Sequence, residues 1–124
     1  MEFFICKKCG NILAFAENKG ENVFCCEQKL ERIVPNSTDA SQEKHLPVFS
    51  LHDNIVDVRV GSVAHPMLVE HNISWVAIET KQGNQRKLLP IDGEPCVSFA
   101  LVPGDEIKTI YAYCNLHGLW KLEV

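Results

Sequence analysis

The chain has no apolar run approaching the roughly 18–20 residues of a membrane helix, so no membrane span is expected. It also lacks the charged-then-apolar order of a signal peptide, which the opening Met1-Glu2-Phe3-Phe4-Ile5-Cys6-Lys7 does not follow. A cytoplasmic location is the expectation. An excess of positive charge is missing too: Lys and Arg number 12 against 16 Asp and Glu, the formal net charge is -4, and the basic residues are scattered. Phosphate binding relies on clustered Lys and Arg, so nucleic acid is not expected as a partner. A small anion is not excluded, because one local Lys beside a site sets the field that the anion meets. Internal repeats, low-complexity tracts and a convincing 3.6-residue periodicity are all absent.

What is present is an ordinary globular composition, with 124 residues, 46% hydrophobic and 23% charged. That is enough for one main core and a small appendage, and too little for two large domains. Six cysteines in a chain with no secretion signal point to metal ligation or redox chemistry, since a reducing cytosol disfavours structural disulfides. For the same reason the sequons Asn36-Ser37-Thr38 and Asn72-Ile73-Ser74 are read as accidents.

Residues 1 to about 34 hold four of the cysteines and little continuous hydrophobic pattern, the profile of a knuckle in which a metal replaces a core. Short turns are expected there. Cys6-Lys7-Lys8-Cys9 offers two thiolates on one tight turn, and Cys25-Cys26 supplies two more. The step from Cys9 to Cys25 resembles zinc-ribbon spacing, but a ribbon would close with a second CxxC. Neighbouring cysteines imply a distorted tetrahedron, and four thiolates suit zinc and iron equally. The polar stretch Pro35 to Gln42 is read as a linker, with the domain boundary near residue 36 and two domains over 1–36 and 37–124.

From about residue 46 the texture is that of strands. Val56, Val58 and Val60 alternate with Asp57 and Arg59, ending at Gly61. Ile73 to Thr80 is β-branched and aromatic, with Gly83-Asn84 read as the turn after it. Cys96 to Val102 and Ile107 to Tyr113 give two more runs, separated by Pro103-Gly104-Asp105. Short strands spaced by turn signals predict an antiparallel β-sandwich of roughly seven strands.

All five histidines, His45, His52, His65, His71 and His117, lie beyond the linker. Tyr113-Cys114-Asn115-Leu116-His117-Gly118 leaves a strand with a thiolate and an imidazole three residues apart, a pair suited to a transition metal. Ala64-His65-Pro66-Met67 is placed at the end of another strand, His71 follows six residues later, and Glu43-Lys44-His45 lies where the linker meets the sandwich. Loops at the end of a sandwich are where such segments converge. A blue-copper site is disfavoured, since no methionine follows His117 and the only internal one is Met67.

These residues, taken together, resemble the desulfoferrodoxins, two-iron superoxide reductases. The resemblance covers essentially the whole chain: Cys-x-x-Cys and Cys-Cys, then Glu-Lys-His, Gly-Ser-Val-Ala-His-Pro-Met, Glu-His and Cys-Asn-Leu-His-Gly, in order. It implies an all-β chain, a desulforedoxin-like knuckle followed by an immunoglobulin-like sandwich. One iron would sit on Cys6, Cys9, Cys25 and Cys26. The second would have His45, His65, His71 and His117 around it in a square plane and Cys114 below. His52 and Cys96 match no motif and are read as a surface or packing histidine and a reduced strand cysteine.

The same resemblance implies catalysis: an open coordination position accepts superoxide, one electron and two protons give hydrogen peroxide, and no oxygen forms. Lys44 would supply local positive charge and help deliver a proton, and Glu43 would cap the ferric ion between turnovers. An external donor such as rubredoxin would re-reduce the iron, and a homodimer is implied. Trp75, Trp120 and the tyrosines are read as core or site walls. A non-catalytic electron carrier and a zinc-stabilised interaction module are the competing classes, separated by ligand count and by metal analysis.

Overall fold

The computed structural model describes residues Met1 to Val124, which divide into two compact units, Met1–Val34 and Pro35–Val124. The first unit is built from two-residue strands: β1 (Phe4–Ile5), β2 (Ile12–Leu13), β3 (Phe24–Cys25), β4 (Gln28–Lys29) and β5 (Glu31–Arg32). β1 lies between β2 and β5, antiparallel to both, and β3 pairs with β4. Only Phe3, Cys6 and Leu30 are buried in it. Three buried side chains do not offset the backbone entropy of this segment, about 1–2 kcal/mol for each ordered residue. Something other than a hydrophobic core must hold it.

The second unit opens with one helical turn, α1 (Gln42–His45), followed by seven strands. These are β6 (Pro47–His52), β7 (Ile55–Val60), β8 (Ile73–Thr80), β9 (Gly83–Leu88), β10 (Cys96–Ala100), β11 (Ile107–Cys114) and β12 (Gly118–Glu123). They form the antiparallel sandwich that the strand spacing predicts, a three-stranded sheet ordered β10-β7-β6 and a four-stranded sheet ordered β12-β11-β8-β9. The alternation on β7 has its physical counterpart: Val56, Val58 and Val60 are at most 2% exposed and enter the core with Val76, Ile78, Phe99 and Ile110. On β11, Ile110, Ala112 and Cys114 are successive positions of one face, each 0% exposed. Cys114 is thus the last inward-facing residue of a core strand. No helix is long and apolar enough to cross a membrane.

Four details depart from the sequence reading. The turn after β8 is Lys81-Gln82, and Gly83 already pairs with Thr80 as the first residue of β9. Tertiary contacts shape this turn: Asp105 accepts hydrogen bonds from the Thr80 hydroxyl (2.9 Å) and the Gln82 N–H (3.0 Å), and the Lys81 N–H donates to Glu106 O (2.8 Å). Secondly, the sequence reading does not place the edge strands β6, β9 and β12; β9 is largely polar, as a strand with one side of its ladder facing solvent tolerates. Thirdly, the polar stretch after Pro35 is bonded to β12: the Asn36 N–H donates to Leu119 O (2.9 Å), its Nδ2 donates to Lys121 O (3.1 Å), and the Lys121 N–H donates to its Oδ1 (2.8 Å). Finally, β7 ends at Val60, so His65 sits within the following loop and not at the strand end.

Candidate metal centres

The first donor set is assembled by two turns. The Gly10 N–H donates to Cys6 O (2.7 Å) and the Cys6 N–H to Asn11 O (2.9 Å), with Gly10 at φ +83, so Cys6 and Cys9 share one closed turn. Cys25 ends β3, and Cys26 and Glu27 form the two-residue turn into β4 with φ of +52 and +63. Two successive positive φ values suit the twist of a tight hairpin. The four sulfurs lie within 4.8 Å of one another, Cys9 Sγ to Cys25 Sγ being 3.5 Å and Cys25 Sγ to Cys26 Sγ 4.0 Å. Tetrahedral thiolates about 2.3 Å from one ion are about 3.8 Å apart, so the donor set fits a metal. Hydrogen bonds from the Cys9 and Lys8 backbone lower Cys6 to about 7, whereas bonding to the neighbouring sulfurs, Cys9 first, pushes Cys26 up to about 12. Four thiols crowded together do not ionise freely without a cation among them.

The second donor set comes from three places at one end of the sandwich. α1 supplies His45, the loop between β7 and β8 supplies His65 and His71, and the β11–β12 hairpin supplies Cys114 and His117. Donor atoms of His45, His65, His71 and Cys114 all lie within 4.8 Å of one another. His117 joins them through Nδ1, 3.1 Å from His45 Nε2 and 3.7 Å from Cys114 Sγ. The four imidazoles follow the cyclic order His45, His65, His71, His117. Adjacent rings are 4.7, 4.6, 5.1 and 4.9 Å apart and near edge-to-face, while the His45–His71 diagonal is 6.4 Å.

Backbone carbonyls aim two of the rings. His45 Nδ1–H donates to Ser41 O (2.6 Å) and His65 Nδ1–H to Pro66 O (2.7 Å), which turns each Nε2 inward with its lone pair available. Trp120, only 1% exposed, stacks on His45 at 4.9 Å, and its indole N–H donates to His117 O (3.1 Å). The His117 N–H donates to Cys114 Sγ (3.3 Å). The loop carrying His65 is packed closely on α1: the Val63 N–H donates to Glu43 O (3.0 Å) and the Gly61 N–H to Leu46 O (3.1 Å). Gly61, at φ +87, allows this approach, since a Cβ there would lie 2.8 Å from Lys44 O and 2.9 Å from Glu43 O.

Whether this set fits a metal is decided by atoms left without a partner. His65 Nε2 and His71 Nε2 are buried and make no hydrogen bond, a costly arrangement for two polar atoms unless a cation lies between them. Two donors about 2.1 Å from one cation at adjacent corners sit about 3 Å apart, close to the His45–His117 separation. Burial favours the neutral form of three of the imidazoles: it lowers His65 to about 4 and lowers His45 and His71, with the Lys44 charge adding to the effect on the latter two. Burial likewise pushes the Cys114 thiol up, against the stabilising His117 and Leu116 N–H groups, so a metal must displace a proton there.

The remaining residues singled out from the sequence fall as follows. Glu43 and Lys44 are exposed on α1 immediately before His45. His52 is an exposed residue of β6, hydrogen-bonded to the Ser50 hydroxyl and 3.9 Å from Asp57, outside the cluster. Cys96 is a free, exposed cysteine at the start of β10. Trp120 is a wall of the site, and Trp75 stacks on Tyr113 at 5.5 Å. The sequence reading missed Ser41, Pro66, Asn72 and the Asn115 side chain. A carbonyl that aims a ring belongs to the backbone and carries no residue signature.

These features define a two-centre metalloprotein, a four-thiolate knuckle and an imidazole-rich site with one thiolate at the end of a β-sandwich. The family model for desulfoferrodoxin matches residues 37–123. The desulfoferrodoxin of Clostridium acetobutylicum is 36% identical over 124 residues, covering 100% of this chain and 97% of the relative. Among solved structures, the superoxide reductase from Treponema pallidum is 40% identical with a TM-score of 0.83, covering 99% of this chain and 100% of that one. A superoxide reductase (1Fe) from Giardia intestinalis is 37% identical with a TM-score of 0.54, covering 66% of this chain and 99% of its own. The chain belongs to the desulfoferrodoxin family. Its two donor sets are the two iron sites of such a protein.

Proposed function

We propose that this protein is a superoxide reductase, which converts superoxide to hydrogen peroxide with one electron and two protons and releases no oxygen. The observation that carries the reading is the ring of four imidazoles completed by the buried Cys114 thiol, in a chain of this family. In this reading His45, His65, His71, His117 and Cys114 hold the iron where reaction occurs, and Cys6, Cys9, Cys25 and Cys26 hold the other. The desulforedoxin-like domain expected over 1–36 then corresponds to the unit Met1–Val34, and the catalytic domain expected over 37–124 to the unit Pro35–Val124. That the Giardia superoxide reductase matches only part of this chain supports a self-sufficient second domain. Bound iron supplies the electron, and a thiolate ligand favours its release.

The protein's own groups do the rest. Five donors leave room at the site for a small anion. The Lys44 ammonium, exposed on the turn that ends in His45, draws the anion in and passes a proton to it through water. Burial holds the His45, His65 and His71 imidazoles neutral, so they do not add to the positive charge that Lys44 contributes at the site entrance. Glu43, one residue earlier, closes the site between turnovers. A small one-electron carrier such as rubredoxin restores the reduced state, and the chain works as a homodimer.

Stopped-flow mixing of the prereduced protein with superoxide, with oxygen and peroxide both quantified, tests the reading. One peroxide per superoxide and no oxygen is expected, and oxygen in a dismutase ratio overturns it. Lys44→Ala is expected to slow the second-order reaction about tenfold at low ionic strength and to flatten its salt dependence. Pulse radiolysis giving an unchanged rate at every salt concentration would remove Lys44 from the mechanism.

A further inference from the structure

We infer that Asn72 and Asn115 are a positioning pair that registers His71 against Cys114, a role that rests on the iron-site reading above. Each asparagine lies one residue beyond a donor, Asn72 after His71 and Asn115 after Cys114. The β8–β11 ladder slips just before them: Tyr113 faces Trp75, but Cys114 faces Ile73, which leaves Ser74 out of register. The extra residue turns Ile73 into the core beside Val76, and the ladder ends at the Cys114–Ile73 pair, so regular strand pairing does not reach His71.

The asparagines replace that pairing. The Asn115 N–H donates to Asn72 O (3.2 Å), and the Asn115 side-chain Oδ1 accepts the Asn72 N–H (2.8 Å), so the side-chain oxygen stands in for the carbonyl of a strand pair. Asn115 Nδ2 donates to Glu70 O (3.0 Å), gripping the chain on the other side of His71. Asn72, 8% exposed, holds its own loop: Nδ2 donates to Leu68 O (2.9 Å) and Val69 O (3.2 Å), and Oδ1 accepts the Ser74 hydroxyl (3.2 Å). The backbone on both sides of His71 is therefore fixed to the turn that carries Cys114 and His117.

His71 needs this more than its neighbours do. Carbonyl groups aim the rings of His45 and His65, but no carbonyl aims the His71 ring, whose buried Nε2 has no hydrogen-bond partner. Its direction depends on where its backbone is held: His71 and Leu68 exchange main-chain hydrogen bonds (3.2 and 2.8 Å) that close the local turn, and the two amides fix that turn to the Cys114 segment. Neither amide is a ligand; both act through the main chain.

The experiment compares the whole protein with Asn115→Ala and Asn115→Asp, reading iron affinity by chelator competition and the thiolate-to-iron absorption of the oxidised site. The four-cysteine centre serves as internal reference. Asn115 is exposed, so its replacement removes no core volume. Asn115→Ala is expected to weaken iron binding at the Cys114 site about 10- to 100-fold and to shift its absorption. Asn115→Asp, which keeps the acceptor for the Asn72 N–H, is expected to fall between. Parental affinity in Asn115→Ala, a loss of affinity with unchanged absorption, or equal losses in both variants would overturn the pair. Failure of the parent to reduce superoxide while binding iron with this absorption would end the functional reading and leave the pair standing.

Discussion

Replacing Cys114 by serine is expected to leave the sandwich folded and to remove its superoxide chemistry. The side chain lies at 0% exposure as the last inward residue of β11, where a serine oxygen fits the smaller volume and still faces the His117 N–H. An unsatisfied buried hydroxyl would cost about 1–3 kcal/mol, but this one has a donor at hand. What the oxygen does not supply is a soft anion. Burial already pushes the thiol of Cys114 up, and a buried hydroxyl ionises far less readily, so the electron density a thiolate would contribute is lost. The rate of superoxide reduction should fall by more than the roughly 10- to 100-fold that follows loss of a residue merely orienting a ligand. Stopped-flow rates normalised to iron content at each centre check this. A serine variant that keeps the parental rate would take the thiolate out of the mechanism.

The second large effect is expected in the first unit. The double replacement Cys9→Ser and Cys26→Ser alters two exposed side chains, so no core contact is lost. Met1–Val34 should nonetheless unfold, because Phe3, Cys6 and Leu30 are all that it buries. Small zinc-dependent peptides draw about 10–16 kcal/mol of apparent folding free energy from their metal, and strands of two residues have no comparable source of their own. Amide resonances of residues 1–34 should collapse to random-coil positions while those of 35–124 keep their dispersion. A single turnover by the prereduced variant should proceed as in the parent, since none of the second donor set is touched. A dispersed spectrum for residues 1–34 after loss of two thiols would show that the metal is not what holds this unit.

The parts of the fold legible in the sequence are those where burial is one-sided or complete. β7 shows its alternation because one face meets the core and the other does not, and β8 reads as apolar because Trp75, Val76, Ala77 and Ile78 are all buried. The edge strand β9, with four of its six residues charged or amide-bearing, offers no such pattern and takes its place from pairing with β8. The Lys81-Gln82 turn was hidden for a related reason. Its conformation is held by Asp105, a residue distant in sequence, so a glycine two positions later gave the stronger local signal.

The sequence by itself determined which donors exist and in what order they come, because thiolate and imidazole chemistry belongs to residue types. Four cysteines in a core-poor segment and a cysteine three residues before a histidine are meaningful before any folding is known. Only the tertiary structure decided how those donors meet. It set the cyclic order His45, His65, His71, His117, turned Nε2 of His45 and His65 and Nδ1 of His117 toward one point, and stacked Trp120 behind His45. Those choices are made by backbone carbonyls, by a slipped strand register and by contacts between distant segments. Every residue carries the same carbonyl, and register is a property of two strands at once, so neither can be read along one of them.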